Sequence, residues 1–194
     1  MRVLVLYAHP VETSYGAALH AAVLEGLTAA GHTVDDCDLY AEGFEPVLSR
    51  DERLAYHTAP DNQAGVADYV RRLQEADAVV LVHPVWNFGY PAILKGFFDR
   101  VFLPDVSFRI VAGKVKPALH NIGTLMVVAT YGADRVRAFL AGDPPRKLAT
   151  RMLRATIRPG ARVRYHAHYD MNRSTADSRA RFLARVRAAA EALK

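Results

Sequence analysis

The stretch that most limits how this chain can fold is Ala78-Val79-Val80-Leu81-Val82-His83, a nearly unbroken apolar run that passes directly into Pro84-Val85-Trp86-Asn87-Phe88-Gly89-Tyr90-Pro91. Such a run suits a strand that meets no water on either face. Pro91 then suits a first helical turn, where its missing N–H costs nothing. Leu94, Phe97, Phe98, Val101 and Phe102 fall at i, i+3, i+4, i+7 and i+8, which is one apolar helical face. Core packing accounts for that helix but not for the loop before it, which holds two aromatics, a carboxamide and a glycine. An aromatic loop at the carboxyl end of a buried strand is a place to hold a flat ring.

The rest of the chain alternates strand and helix patterns without repeats. Strand one is Arg2 to Ala8, followed by a helix from about Ser14 to Ala30 with Leu19, Val23 and Leu27 on one face and Gly31 as its stop. Strand two is Thr33 to Asp38. Leu39 to Asp61 shows too little periodicity to assign. Val66, Tyr69, Val70 and Leu73 mark the next helix, and Leu103 to Asn121 is a long connection, either a roof over a site or a surface excursion. Thr124 to Ala129 is the fourth strand. Short helical patterns follow at Val136 to Leu140 and Leu148 to Ile157, split by Gly142-Asp143-Pro144-Pro145. Val163, Tyr165, Ala167 and Tyr169 alternate with Arg162, Arg164, His166 and His168, as in an edge strand with one polar face. The last helix runs from about Thr175 to Leu193.

Five strands separated by helices imply an α/β three-layer sandwich with a parallel, doubly wound sheet. The dinucleotide-type strand order usually carries Gly-x-Gly-x-x-Gly after strand one. Here that turn reads Ala8-His9-Pro10-Val11-Glu12-Thr13-Ser14-Tyr15-Gly16, with one glycine and two hydroxyls. Hydroxyls at a helix start can donate to a phosphate beside free N–H groups, or simply cap the helix. In the flavodoxin-like order 2-1-3-4-5, a ligand crevice is lined by the loops after strands one, three and four. These are His9 to Gly16, Pro84 to Tyr90, and Thr130-Tyr131-Gly132-Ala133. The first suits a phosphate and the second a planar ring. The third can offer backbone N–H groups to the ring's polar edge. Together they point to a flavin nucleotide.

The 194 residues, 51% apolar and 23% charged, suit one domain over 1–194. No apolar run is long enough to cross a bilayer, and the N-terminus reads as a strand rather than a signal sequence. The single cysteine, Cys37, has no partner for an internal disulfide and reads as a small strand residue, consistent with the cytoplasm. Residues 131–194 carry fifteen Lys/Arg against five Asp/Glu, whereas residues 1–130 carry ten against fifteen. With no aromatic interleaving and no recognition motif, these arginines read as solvated helix faces rather than a nucleic-acid surface. A basic rim can also attract a phosphate-bearing substrate. His166 and His168 share a strand face, but the ligand count for a metal is not met.

With these motifs in place, the chain resembles the NAD(P)H:quinone oxidoreductase family of the flavodoxin-like fold, the group of diaphorase-type quinone reductases. The resemblance rests on Val3 to Pro10 with Thr13-Ser14-Tyr15, Asp38-Leu39-Tyr40, Phe44 to Arg50 and, most specifically, Pro84 to Phe102. It covers about the first 135 residues well and the remainder in outline. The resemblance implies that His9, Ser14 and Tyr15 hold the flavin's phosphate side. It implies further that Pro84, Val85, Trp86, Asn87 and Phe88 lie along the ring, and that Thr130, Tyr131, Gly132 and Ala133 meet its polar edge. The implied cofactor is FAD, with FMN also possible, and NAD(P)H is the implied co-substrate. The implied chemistry is a two-electron ping-pong hydride transfer through the flavin to a quinone-like acceptor. A homodimer whose sites are completed by the partner chain is expected.

Departures from the pattern matter. Asn87 stands where family members often have a second aromatic, and Gly16 replaces a commoner asparagine. A tyrosine and a histidine that assist proton movement in the diaphorase branch have no match in Arg135 to Pro145, so no catalytic side chain is assigned. Two alternatives share the flavin: a non-catalytic flavoprotein regulating a membrane potassium-efflux system, and a flavodoxin-type electron carrier.

Overall fold

The apolar run is a strand, Ala78–Val85, and it is bonded in parallel register on both sides: Val82 lies opposite Tyr7, and Val85 opposite Tyr131. The computed structural model describes residues 1–194. In chain order the elements are β1 (Arg2–Tyr7), α1 (Tyr15–Ala29), β2 (Thr33–Asp38), α2 (Arg50–Ala55), α3 (Ala67–Glu75), β3 (Ala78–Val85), α4 (Ala92–Val101), β4 (Phe108–Val111), β5 (Lys114–Pro117), β6 (Thr124–Tyr131), α5 (Arg135–Leu140), α6 (Pro144–Lys147), β7 (Arg162–His168) and α7 (Ala176–Glu191).

The sheet order is β2-β1-β3-β6-β7, all parallel. Counting only sheet strands, this is the expected 2-1-3-4-5. The labels differ because β4 and β5 form a separate antiparallel hairpin. Strand side chains alternate between faces, so two cores form. Leu4, Leu6, Leu81 and Val127 pack with Leu94 and Phe97 of α4 on one face. Val3, Val5, Val80 and Val82 pack with Leu19 and Val23 of α1 and Phe182 and Val186 of α7 on the other. Cys37 is buried in β2. No helix is long and apolar enough to cross a membrane.

The unassigned stretch after β2 contains α2, started by a reciprocal capping box between Ser49 and Glu52. Glu52 also pairs with Arg100 of α4, which ties this segment to the core. The long connection after α4 contains a surface hairpin: Ile110, Val111 and Val115 are exposed, and Ala112 and Gly113 turn at φ 50° and 73°. Two positive φ values in a row match the right-handed twist of a tight hairpin.

The pattern at Leu148 to Ile157 is not a plain α-helix. Winding starts at Pro144, widens to a π turn over Leu148–Met152 and tightens over Leu153–Ala155. In that segment Thr150 donates its hydroxyl back to the Arg146 carbonyl at 2.8 Å, a bond that disturbs regular winding. Strand β7 is the sheet edge as expected, and its polar face is partly covered. His168 packs edge-on to Phe182 of α7 at 5.3 Å and to Tyr15 of α1 at 5.9 Å.

Gly96 fixes how closely α4 approaches the segment before α2. A Cβ there would collide with the backbone of Pro46. Gly96→Ala is expected to lower unfolding free energy by about 1–3 kcal/mol or more, as overpacking does. The check is a urea titration, with the midpoint falling while the slope holds.

Candidate functional site

Parallel pairing brings the carboxyl ends of β1, β3 and β6 to one edge. The Ala8 N–H donates to the Val82 carbonyl at 3.0 Å, and Pro84 and Val85 lie opposite Thr130 and Tyr131. The three loops singled out from the sequence therefore meet.

In the first loop Ser14 caps α1, its Oγ accepting from the Ala17 N–H at 3.1 Å, with the Tyr7 phenol beside it. His9 Nδ1 accepts from the Val11 N–H at 3.1 Å, so its proton sits on Nε2. Burial lowers the His9 pKa, which favours this neutral form with one outward donor. The imidazole lies 5.9 Å from the Trp86 ring, linking the first loop to the second. A Cβ on Gly16 would lie 3.4 Å from both His9 and Ser14, so the imidazole sits close against the helix start. A cavity of about 450 Å³ beside this loop is lined by Tyr7, His9, Glu12, His20 and Asp38, among others. Asp38 is engaged with the N–H groups of Tyr40 and Ala41.

The second loop is a two-residue turn closed by paired bonds between Trp86 and Gly89, at 3.2 and 2.8 Å. Asn87 and Phe88 sit at φ 49° and 54°. Asparagine tolerates the left-handed region, whereas phenylalanine there costs on the order of 1–2 kcal/mol. The turn holds Trp86 and Phe88 partly in water, 42% and 37% exposed. This geometry also gives a reason for asparagine rather than an aromatic at position 87.

Gly132 and Ala133 of the third loop face the second across a cavity of about 300 Å³. It is lined by Val85, Asn87, Phe88, Tyr131, Gly132, Ala133 and Asn172. Asp134 ends the loop by capping α5, accepting from the Arg137 N–H at 2.9 Å.

Several expected contacts are placed otherwise. The Tyr15 phenol donates to the Arg179 carbonyl at 2.8 Å, which ties α1 to α7 and leaves only its backbone for a phosphate. Burial pushes its pKa up to about 12. Pro84 is buried within β3, its carbonyl accepting from His83 Nδ1 at 2.8 Å. The Tyr131 phenol donates to Asp143 at 2.7 Å and shares a 2.6 Å bond with the Tyr165 hydroxyl beneath the loop. Burial, with Tyr165 and Asp143 as neighbours, drives its pKa far up, and the two hydrogen bonds anchor the phenol beneath the loop. Sequence reading missed Asn172, which sits in the Met171–Arg173 turn after β7. Only its place at the same sheet edge could have flagged it.

His83 ends the apolar run with Nε2 buried and unpartnered. Burial pushes its pKa down to about 4. An unfolded chain takes up a proton near 6.5 while the folded one does not. Stability is therefore retained above pH 6.5 and lost as pH falls from there towards 4, by about 1.4 kcal/mol per unit for this residue. His83→Asn, which keeps a donor to Pro84, is expected to lower the slope of unfolding free energy against pH by about that amount. An unchanged slope in denaturation series across that range would contradict this.

The chain matches the family model described as a flavodoxin-like fold over residues 1–191. It is 32% identical over 149 residues to NAD(P)H dehydrogenase (quinone) 1 of Rattus norvegicus, covering 68% of this chain and 54% of that protein. It is 34% identical over 147 residues to ribosyldihydronicotinamide dehydrogenase (quinone) of Pongo abelii, covering 68% and 64%. The match thus spans between about half and two thirds of the length of these relatives. Among solved structures, an NAD(P)H:quinone oxidoreductase from Methanothermobacter marburgensis superposes with a TM-score of 0.85 at 26% identity, covering 100% of this chain and 99% of that one.

Proposed function

The chain belongs to the flavodoxin-like fold family, and from that premise we propose that it is a flavin-dependent NAD(P)H:quinone oxidoreductase. The observation that carries the reading is the cavity between the second and third loops. One wall is Val85 and Phe88, and the other is Gly132 and Ala133 without bulky side chains. A flat ring with an apolar face and one polar edge fits walls of that kind. The names of the quinone-reductase relatives support the same reading.

Bound there, a flavin would supply two-electron transfer between a nicotinamide and a quinone-like acceptor. Ser14 and His9 would donate to its phosphate from the start of α1, where unpaired N–H groups and the helix dipole favour an anion. Val85, Trp86 and Phe88 would cover the ring and keep water off it. Asn87, set by the turn, and the backbone of Thr130 to Ala133 would meet its polar edge. N–H groups from that loop, fixed beforehand, would favour negative charge at the edge without reorganising. We assign no proton-transfer side chain. Both FAD and FMN suit this arrangement, with FAD favoured by the diaphorase-like motifs.

We further read residues 1–194 as one domain that works in the cytoplasm as a homodimer. Exposed apolar side chains support the dimer: Ile110, Val111 and Val115 on the hairpin, and Val136, Phe139 and Leu140 on α5, the last two both 77% exposed.

The test is a two-substrate rate study with NADH or NADPH against a small quinone. A ping-pong cycle gives parallel lines in double-reciprocal plots, because one product leaves before the second substrate enters. Intersecting lines, or no quinone-dependent oxidation after reconstitution with FAD and with FMN, would contradict the reading.

A further inference from the structure

Asn172 belongs to none of the three loops, yet it faces the ring cavity. It sits in the Met171–Arg173 turn between β7 and α7. The turn is held in place. The Asp170 N–H donates to the Ala133 carbonyl at 2.9 Å, which joins it to the third loop. Arg173 Nε reaches both Asp170 oxygens, at 3.1 and 3.0 Å, and its N–H donates to the Asp170 carbonyl at 3.0 Å. Asp170 itself sits at φ 61°, a kink that turns the chain back towards Gly132.

Neither these bonds nor those that Ser174 accepts from Arg179 use the Asn172 carboxamide. That carboxamide lies beside Gly132. A Cβ built there would meet Asn172 Nδ2 at 3.7 Å and Oδ1 at 3.8 Å, so donor and acceptor stand almost equally close to the glycine. The cavity they border is the same one lined by Val85, Asn87 and Phe88. An exposed polar residue on a fixed turn, with both polar atoms unpaired beside a bare backbone, is arranged to receive an adjacent donor–acceptor pair.

We propose that Asn172 is a positioning residue for the pyrimidine edge of the flavin, supplying one donor and one acceptor that complete the contacts begun by the third loop. This rests on the flavin reading above. The flavin edge presents a carbonyl, an N–H and a second carbonyl in a row, and a carboxamide pairs with two neighbours of that set. A neutral amide serves both redox states. A carboxylate at the same place would lose the donor and oppose the negative charge that two-electron reduction puts on this edge. Asn172 therefore sets the relative affinity for the two states as well as the ring's orientation. It takes no part in proton transfer.

The experiment compares wild type, Asn172→Ala and Asn172→Asp. Dissociation constants for FMN and for FAD are measured anaerobically, first oxidised and then reduced with dithionite, with circular dichroism as the folding check. Asn172→Ala is expected to weaken both forms about three- to tenfold, the loss of an ordinary hydrogen bond or two. Asn172→Asp is expected to weaken the reduced form about tenfold more than the oxidised form, by charge repulsion. A purely structural role would move both forms alike. Equal changes in the two forms for Asn172→Asp, or wild-type constants in both variants, would overturn the role of Asn172 alone. Failure of the wild type to bind either flavin would overturn the functional reading with it.

Discussion

Everything at the site depends on the pairing of β3 with a parallel neighbour on each side. Parallel strands need crossovers, and the helices making them cover both faces of the sheet. Leu81 and Val80 accordingly point into separate cores, and both are fully buried. Because β1, β3 and β6 run the same way, their carboxyl ends must emerge together. The loops that follow are brought side by side by backbone bonds, before any side chain in them is chosen.

The loops carry strain that this frame can hold. Asn87 and Phe88 both occupy left-handed backbone, and Asp143, at φ 46°, opens α6 in the same region. Asp143 accepts from Tyr131, whose phenol is also bonded to Tyr165. That buried network anchors the end of β6 from below, while Asp134 and the Asp170–Ala133 bond hold the loop beyond it. A backbone surface fixed from several directions can meet a ring edge without rearranging, which is what electrostatic preorganisation requires. The stiffness has a further consequence. Little adjustment is left in the backbone that borders the cavity.

Much of the fold was legible because burial writes itself into sequence. The apolar run of β3, the face of α4 and the alternation along β7 each gave the right element within a residue or two. Elements without a buried face did not announce themselves. The β4–β5 hairpin exposes its apolar residues, and its Ala112-Gly113 turn lacks the usual Asn-Gly signal. Helix α2 has no buried residue and stands on its capping box and on Glu52–Arg100. At the site, strand-end position was readable but side-chain direction was not. Tyr15 and Tyr131 are ordinary candidates on paper, and only packing against α7 and Asp143 turns their phenols away. Asn172 was invisible, since nothing in Met171-Asn172-Arg173 shows that it folds back over Gly132.

The central claim is that the three loops hold a flavin that exchanges electron pairs with a nicotinamide and a quinone. The most direct measurement is an anaerobic visible spectrum of the reconstituted protein, recorded before and after one equivalent of NADPH and again after a small quinone. The account expects a bound flavin band that NADPH bleaches and quinone restores. A band that neither NADPH nor NADH bleaches would contradict it, and so would a protein that retains neither FAD nor FMN.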